Sequence, residues 1–265
     1  MEIVSVPGFA LRARRFFLRV SWWLTLSASV CGAENPELAA LLQKGDSEVS
    51  AGNTRAALAD FEQAEKLAPN DAGVLLRISQ QTSDLIGETK NEAEAQKLAQ
   101  RSLEAAKRAV QLAPDNAKAH LALSIAYGRM TDFVSNKTKL EYSRVIKSEA
   151  ERAIALDPRE DFAYHVLGRW HYGVATLNPM LKMMARIVYG GMPDASIEES
   201  ARLLKKASEI APQRIMHHHE LARAYVALGK SDLARKEWQA ELALKPDDDE
   251  EKKDQREARA ELAKK

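Results

Sequence analysis

The chain has 265 residues, of which 45% are hydrophobic, and its 39 lysine and arginine residues nearly balance 38 acidic residues. A formal net charge of +1 gives no reason to expect attraction of the whole molecule to nucleic acid, so no nucleic-acid partner is predicted. The single cysteine, Cys31, excludes an intramolecular disulfide. Alanine, leucine, glutamate, lysine and arginine dominate without β-branched alternation, which predicts an all-α fold.

Residues 1–33 have the pattern of a targeting segment. Four arginines and one acidic residue, Glu2, lie within the first 19 residues, and residues 20–33 carry no charge. A basic start, an apolar stretch and small residues at 31–33 predict a secretory signal peptide that is cleaved before Glu34. The protein is therefore expected to be exported, to the periplasm or out of the cell. An arginine-rich, acid-poor start also suits a mitochondrial presequence, which is the alternative location.

Residues 34–265 are predicted to form one domain of helical repeats. Prolines at positions 69, 114, 158, 212 and 246 close the similar phrases KLAP, QLAP, ALDP, EIAP and ALKP. Because proline cannot continue a helix, each phrase is predicted to end the second helix of a helix pair. Successive prolines are 45, 44, 54 and 34 residues apart. Only the last spacing is one bare repeat, and the other three contain about 10, 10 and 20 added residues.

The positions that follow the prolines and the added residues give further expectations. Asn70, Asp115 and Asp247 come directly after three of the prolines and are predicted to cap the next helix. In the third repeat, the polar residues 131–140 are predicted to lengthen the connection between its two helices. The charged residues 248–263 are predicted to form a last helix that covers the end of the repeat array.

The last repeat, residues 215–246, has the residue types of a tetratricopeptide (TPR) unit, which pairs two antiparallel helices over 34 residues. The residues that carry the match are Leu221, Ala222, Tyr225, Gly229, Ala234, Trp238 and Pro246. Gly229 can take the left-handed conformation that closes a helix, and Trp238 is predicted to fill the space between the helices. One pair cannot bury its apolar face alone. The chain therefore resembles an α-solenoid of about five TPR-like pairs with a C-terminal capping helix.

The fourth repeat contains a longer insertion, residues 173–193, which reads GVATLNPMLKMMARIVYGGMP. Within it, residues 180–189 are predicted to form a short apolar helix that starts near Pro179 and stops at the glycines 190–191. Flexible methionines favour an adaptable contact surface, and packing against neighbouring helices is the alternative. The predicted contact residues are Met180, Met183, Met184 and Ile187.

A GRW-Y motif precedes the insertion, and a GxxP-like turn follows its apolar, basic helix. The residues concerned are Gly168, Arg169, Trp170, Tyr172, Lys182, Tyr189, Gly190 and Pro193. In these features the chain resembles the regulator of microtubule dynamics family. The resemblance implies a helical domain of TPR type and a role in binding or tethering. It also implies, as alternatives, association with microtubules or mitochondria and a helical domain that binds lipid.

The first helix of each TPR pair lines the concave face, and the repeat frame places basic and aromatic side chains there. The predicted groove residues are Arg129, Phe162, His165, Arg169, Tyr172, His219 and Arg223. Arginine beside aromatic side chains favours an acidic segment, a C-terminal carboxylate or a lipid phosphate. The alternative is that some of these arginines pair with acidic residues of the next helix. We therefore predict a non-enzymatic scaffold whose groove binds a protein or peptide. The alternative is a phospholipid-binding domain that encloses an acyl chain.

The histidines are candidates for metal ligands and for catalytic residues. Residues 217–219 are three consecutive histidines, and consecutive helical residues point about 100° apart, so they are not expected to share one ion. His165 and His171 lie six residues apart without a nucleophile, a phosphate-binding loop or a metal-binding HExxH pattern. No metal, no cofactor and no catalytic residue is predicted.

Overall fold

The computed structural model describes residues 35–189, 191 and 193–264. These residues fall into two compact units, an N-terminal unit that ends at Pro114 and a C-terminal unit that begins at Asp115. The predicted signal peptide and its cleavage before Glu34 lie outside the described residues.

The part of the N-terminal unit that the structure describes, residues 35–114, contains two helix pairs. The first pair is α1 (Pro36–Ala51) with α2 (Thr54–Leu67), and the second is α3 (Ala72–Glu88) with α4 (Glu92–Leu112). The first pair is tightly packed at Gly45: a Cβ atom at this position would lie only 2.4 Å from Cε1 of Phe61. Only glycine therefore lets α1 approach the buried Phe61 ring this closely.

Among its described residues, the C-terminal unit contains eight α-helices: α5 (Ala117–Met130), α6 (Asn136–Leu156), α7 (Asp161–Ala175), α8 (Pro179–Tyr189), α9 (Ile197–Ile210), α10 (Ile215–Ala227), α11 (Ser231–Ala243) and α12 (Asp249–Ala263). Helix α5 pairs with α6, α7 with α9 and α10 with α11, while α12 packs against α10 and α11. Every long regular element of the described residues is a helix. The predicted class, an all-α solenoid of five TPR-like pairs with a C-terminal capping helix, is confirmed.

The added residues of the second and third repeats lengthen helices rather than loops. Helices α4 and α6 have 21 residues each, whereas α11 has 13. The prediction of a long connection over residues 131–140 is therefore wrong, because α6 begins at Asn136 after one 3-10 turn. The hydroxyl of Ser135 caps α6 by accepting a hydrogen bond from the N–H of Thr138, and the buried Leu140 belongs to the core side of this helix.

The residues that cap the helix N-termini lie one position further from the prolines than predicted. The side chains that cap α3, α5 and α12 belong to Asp71, Asn116 and Asp248, rather than to the residues directly after the prolines. Before α3 and α5, the reason is a turn in which the proline and the residue after it precede the cap. Gly229 adopts a φ of +69° just beyond α10, which confirms its predicted role in closing that helix.

Trp238 lies in the core of the last repeat, as the repeat frame predicted. It is 5% exposed and belongs to a cluster with Leu221, Tyr225 and Ala234. The cluster joins α10 and α11 and extends to Ala258 of α12. One aromatic side chain therefore contributes to both the last pair and the docking of the last helix.

We expect Trp238→Ala to lower the free energy of unfolding by about 3–5 kcal/mol, the usual cost of truncating a buried tryptophan. Leu233→Ala is the matched control, because Leu233 is on the same helix and is 38% exposed. Urea unfolding followed by circular dichroism measures both changes. A Trp238→Ala midpoint equal to that of the wild-type protein would contradict the buried placement.

Candidate functional site

The GRW-Y motif, residues 168–172, lies on α7, and its side chains contact three different helices. A Cβ atom on Gly168 would lie 2.7 Å from Cγ of Leu204. Glycine is therefore required for α7 and α9 to lie this close. The two helices stay paired although α8 and its connections interrupt the chain between them.

Trp170 fixes α7 against α6. Its buried indole Nε1–H donates to the carbonyl oxygen and to the hydroxyl of Ser143, both at 2.9 Å. The Lys147 ammonium lies 5.9 Å from the centre of the Trp170 ring. The polar end of this large apolar side chain is thus satisfied inside the core, as buried tryptophan requires.

Arg169 and Tyr172 connect α7 to α10. Nε of Arg169 lies 3.3 Å from the carboxylate of Glu220, and the other Glu220 oxygen accepts a hydrogen bond of 3.1 Å from Arg223. The Arg223 guanidinium in turn lies 5.3 Å from the centre of the Tyr172 ring. We call the set of Arg169, Tyr172, Glu220 and Arg223 the arginine bridge. It holds the Arg223 guanidinium in a defined position at the surface.

A buried polar network joins the same two helices deeper in the unit. Nε2 of His217 lies 2.8 Å from the Asp161 carboxylate, and its Nδ1 lies 3.0 Å from Nδ1 of His165. Nε of Arg214 lies 2.8 Å from the same oxygen of Asp161, and the Phe162 ring stacks on His165 with 5.3 Å between ring centres. This network links the start of α7 to the start of α10.

The protonation states in the network follow from its geometry. Burial lowers the pKa of His217 below its ordinary value, against the opposing effect of Asp161, so the neutral ring is favoured at neutral pH. A carboxylate can only accept, so Nε2 of His217 carries the proton and its Nδ1 accepts from Nδ1–H of His165. His165 and His217 are buried, so the network holds α7 and α10 together.

His218 and His219 point to other partners than His217. Nδ1 of His218 lies 2.7 Å from Glu237, and its Nε2 lies 2.8 Å from the carbonyl oxygen of Pro212. Nδ1 of His219 lies 3.3 Å from the Glu241 carboxylate. Burial opposes the charged form of His218, but the hydrogen bonds to Glu237 and Pro212 outweigh it and raise its pKa.

Four of the seven predicted groove residues are not on an open surface. Arg129, Phe162, His165 and His219 are 5%, 4%, 1% and 3% exposed, so their assignment to a solvent-facing groove is wrong. The repeat frame placed them on the inner face of the first helices. In this unit α7 contacts both α5 and α10, and α10 also contacts α12, so the inner face of these helices is covered. Arg169, Tyr172 and Arg223 remain partly or largely exposed.

Helix α8 confirms the predicted short helix within the insertion, and three of its apolar side chains face solvent. Met180, Met183 and Ile187 are 65%, 54% and 74% exposed, so these three do not pack on neighbouring helices. Lys182 and Arg186 are exposed beside them. The Met184 side chain lies outside the described part of the structure. We call the surface formed by these five exposed side chains the α8 patch.

Both ends of α8 are tied to the rest of the unit. The Lys182 ammonium donates to the carbonyl oxygen of Ala175 at the end of α7, at 2.7 Å. Arg144 of α6 donates to the carbonyl oxygen of Gly191 at 3.0 Å. The structure therefore presents the α8 patch from a fixed base. None of the helices in the described residues is both long and apolar enough to cross a bilayer.

Comparison with known proteins identifies the family. The family model described as regulator of microtubule dynamics protein 1-3 matches residues 41–265. The chain belongs to this family. It is 30% identical to regulator of microtubule dynamics protein 2 of Homo sapiens over 151 residues, which is 57% of this chain and 37% of the relative. It is 28% identical to protein 3 of Xenopus laevis over 206 residues, which is 75% of this chain and 43% of that relative.

The match to these relatives is partial, so it does not carry over the activity of the whole relative. A third relative, regulator of microtubule dynamics protein 1 of Mus musculus, is 28% identical over 62% of this chain and 54% of its own length. The chain thus spans about half the length, or less, of the curated relatives named here.

Solved structures support the fold alone. A thermophilic TPR protein of Thermus thermophilus superposes with a TM-score of 0.62 at 20% identity, over 84% of this chain and 99% of that protein. MamA from Desulfovibrio magneticus gives a TM-score of 0.52 at 15% identity, over 80% of this chain and 97% of that structure. Both are helical-repeat architectures, in agreement with the five pairs described above.

The family corrects the predicted location. Export to the periplasm or out of the cell is wrong, because the family and its vertebrate members are named for microtubule dynamics, a process inside eukaryotic cells. The arginine-rich pattern of residues 1–33 resembles a signal peptide because the small residues 31–33 resemble a cleavage site. The boundary at residue 33 itself lies outside the described residues and stays a prediction.

The amino-acid sequence does not identify which acidic residues pair with the site residues. Asp161 and His217 are 56 residues apart, and Arg169 and Glu220 are 51 apart, so no local pattern pairs them. One signal was present for Glu220, since an acid three residues before Arg223 on a helix lies beside it.

We expect Arg169→Ala to destabilise the protein by about 1.5–3 kcal/mol, because it removes one charged partner of the buried Glu220 carboxylate, which keeps its pairing with Arg223. Arg223→Ala is the comparison, since the Arg223 side chain is 43% exposed whereas that of Arg169 is 11% exposed, and exposed pairs contribute about 0.2–1 kcal/mol. Thermal melts of both variants test the difference. Equal losses would show that Arg169 does not act as a buried bridge.

We expect the stabilising effect of Glu237 to depend on pH through His218. A histidine whose pKa is raised in the folded protein stabilises it fully below the unfolded pKa of about 6.5, and loses that effect as pH rises through the folded pKa. The difference in unfolding free energy between wild type and Glu237→Gln should therefore be largest in mild acid and shrink in mild alkali. Glu209→Gln, which removes an exposed partner of Lys205, is the control, and a pH-independent difference for Glu237→Gln would contradict the assignment.

Proposed function

We propose that this protein is a non-catalytic scaffold that binds an acidic, partly apolar segment of a partner protein. The observation that carries the proposal is the α8 patch, in which Met180, Met183 and Ile187 are exposed beside Lys182 and Arg186. The TPR-like fold and the family support a role in protein interaction. The chemistry of the partner is inferred from the patch.

The apolar part of the α8 patch favours a partner with apolar side chains. Met180, Met183 and Ile187 stand three and four residues apart, so they share one side of the helix. Clustered exposed apolar side chains mark interaction sites. Methionine adapts its shape to different partners because it is unbranched and flexible. A partner helix or extended segment with a few apolar side chains would bury this face.

The charged part favours carboxylates on the partner. Lys182 and Arg186 are both exposed, and the described residues of α8 contain no acidic side chain. Arg223 of the arginine bridge adds a third cation, which stacking on Tyr172 and pairing with Glu220 hold in place. A guanidinium held in this way loses little freedom when a carboxylate binds it. An acidic segment or a C-terminal carboxylate is the matching group.

The names of the relatives supply one candidate partner. They are regulators of microtubule dynamics. We therefore propose the microtubule as the first partner to test. The partial coverage of the relatives makes this a separate proposal, and the scaffold role stands without it.

The test selects ligands from a random peptide library against the full chain. We expect enrichment of peptides that combine acidic and apolar residues. Met183→Asp and Arg223→Ala should each weaken binding of the selected peptide about tenfold, which corresponds to about 1.4 kcal/mol. Leu112→Asp is the control, because Leu112 is an exposed apolar residue on α4 of the N-terminal unit.

The proposal would be overturned if the selected peptides were basic. It would also be overturned if neither variant changed the affinity for the selected peptide. Co-sedimentation with purified microtubules tests the candidate partner in the same series. Binding that Met183→Asp abolishes would support it as the partner, whereas no co-sedimentation of the wild-type protein would exclude microtubules and leave the peptide result to decide the scaffold role.

A further inference from the structure

Helix α12 docks on the last repeat through buried polar groups as well as through Ala258 and Leu262. Gln255 donates hydrogen bonds to the carbonyl oxygens of Glu241 and Leu244 at 2.9 and 2.8 Å. Asp254 beside it is also buried, and Ala258 is the buried apolar residue of this helix. Polar interfaces of this kind contribute little hydrophobic stabilisation, so the groups in them must be matched closely.

Three side chains with metal-binding atoms meet at this interface. His219 comes from α10, and Asp254 and Glu257 come from one face of α12, three residues apart. One ligand atom of each lies within 4.8 Å of the others. His219 and Asp254 are buried, whereas Glu257 stands at the solvent edge. The cluster is therefore built from two helices and has one open side.

A fourth side chain orients the imidazole. Nδ1 of His219 lies 3.3 Å from both oxygens of the fully buried Glu241 carboxylate on α11. A carboxylate accepts hydrogen bonds, so Nδ1 carries a proton and donates it to Glu241. The other ring nitrogen, Nε2, then faces the α12 carboxylates, 3.6 Å from Glu257. A histidine that donates one N–H to a carboxylate and offers its other nitrogen is the usual arrangement behind a metal ligand.

The charges of the cluster also favour a cation. The carboxylates of Glu241, Asp254 and Glu257 surround one imidazole, and the Lys253 ammonium lies 3.8 Å from an oxygen of Glu257 at the exposed edge. Burying several carboxylates together is costly unless positive charge is close. A divalent ion at the open side would supply two positive charges where the three ligand atoms converge.

We propose that His219 Nε2, Asp254 and Glu257 form a binding site for a divalent transition-metal ion of the Zn²⁺ class. One imidazole and two carboxylates suit such an ion, whereas Mg²⁺ and Ca²⁺ prefer oxygen ligands alone. At tetrahedral angles, Zn–N and Zn–O bonds of about 2.0–2.2 Å place ligand atoms about 3.3–3.6 Å apart. The ligand atoms, which lie within 4.8 Å of one another, must therefore move closer to bind an ion, and the exposed Glu257 can move.

The site would clamp the last helix onto the repeat array. His219 belongs to the last helix pair and both carboxylates belong to α12, so a bound ion crosslinks the two. This use of His219 differs from the predicted groove role, and it is independent of the proposed scaffold function. Metal availability would then set how firmly α12 covers the end of the last repeat.

The experiment uses the full chain, freed of metal with a chelator, and titrates it with zinc chloride by calorimetry. We expect saturable binding and a higher melting temperature with zinc. Glu257→Gln should weaken zinc binding more than tenfold, and Glu241→Gln by about 10–100-fold, as is typical for a residue behind a ligand. Glu261→Gln, one turn further along α12 and paired with Lys264, should leave zinc binding unchanged.

Two results of the zinc titration would overturn the proposal, and a third result, with calcium, would contradict the proposed class of metal ion. One is wild-type protein that binds no zinc, and the other is a Glu257→Gln protein that binds zinc as the wild type does. Glu257 is exposed at the surface, so its variant is expected to fold and decides the test even if a variant of the buried Asp254 does not fold. A larger stabilisation by calcium than by zinc would contradict the ligand class.

Discussion

The close approach of α7 and α9 at Gly168 is the constraint on which the C-terminal unit depends. The two helices belong to one pair, yet the chain leaves α7 at Ala175 and re-enters α9 only at Ile197. A side chain at residue 168 would collide with Leu204, so the pair closes only because glycine stands there. With that contact made, the interrupted pair packs as the others do, and the intervening residues can lie outside the core.

The interior between the stacked helix pairs is partly polar. The first helices α7 and α10 meet through Asp161, His165 and His217 rather than through apolar side chains alone. Buried polar groups must be hydrogen-bonded, and a fully connected network specifies one register of neighbouring helices more sharply than interchangeable apolar contacts do. The arginine bridge does the same nearer the surface, where Glu220 joins cations from both helices. Helix order in this unit is thus fixed by matched charges as well as by shape.

The repeat fold was predictable because its determinants are local and periodic. Proline after an apolar phrase, Gly229 after α10 and Trp238 at the large position of α11 each act within one pair, and spacing alone reveals them. The candidate site was less predictable, because exposure depends on how pairs cover one another. The repeat frame placed Phe162 and His165 on the inner face of the first helices, but it could not show that neighbouring helices bury these two side chains. Pairs such as Arg169 with Glu220 join distant parts of the chain. No local pattern in a single sequence predicts such a pair.

The exposure of the α8 methionines has a chemical consequence. Met180 and Met183 face solvent, whereas Met130 and Met216 are buried, so a soluble oxidant reaches the first two sooner. Conversion of their thioethers to sulfoxides makes flexible apolar side chains polar. The patch would keep its positive charge and lose its apolar character, while the core of the unit stayed intact. Methionine sulfoxide reductases reverse this change, so the surface of α8 is one whose character the redox state of its surroundings can alter without unfolding the protein.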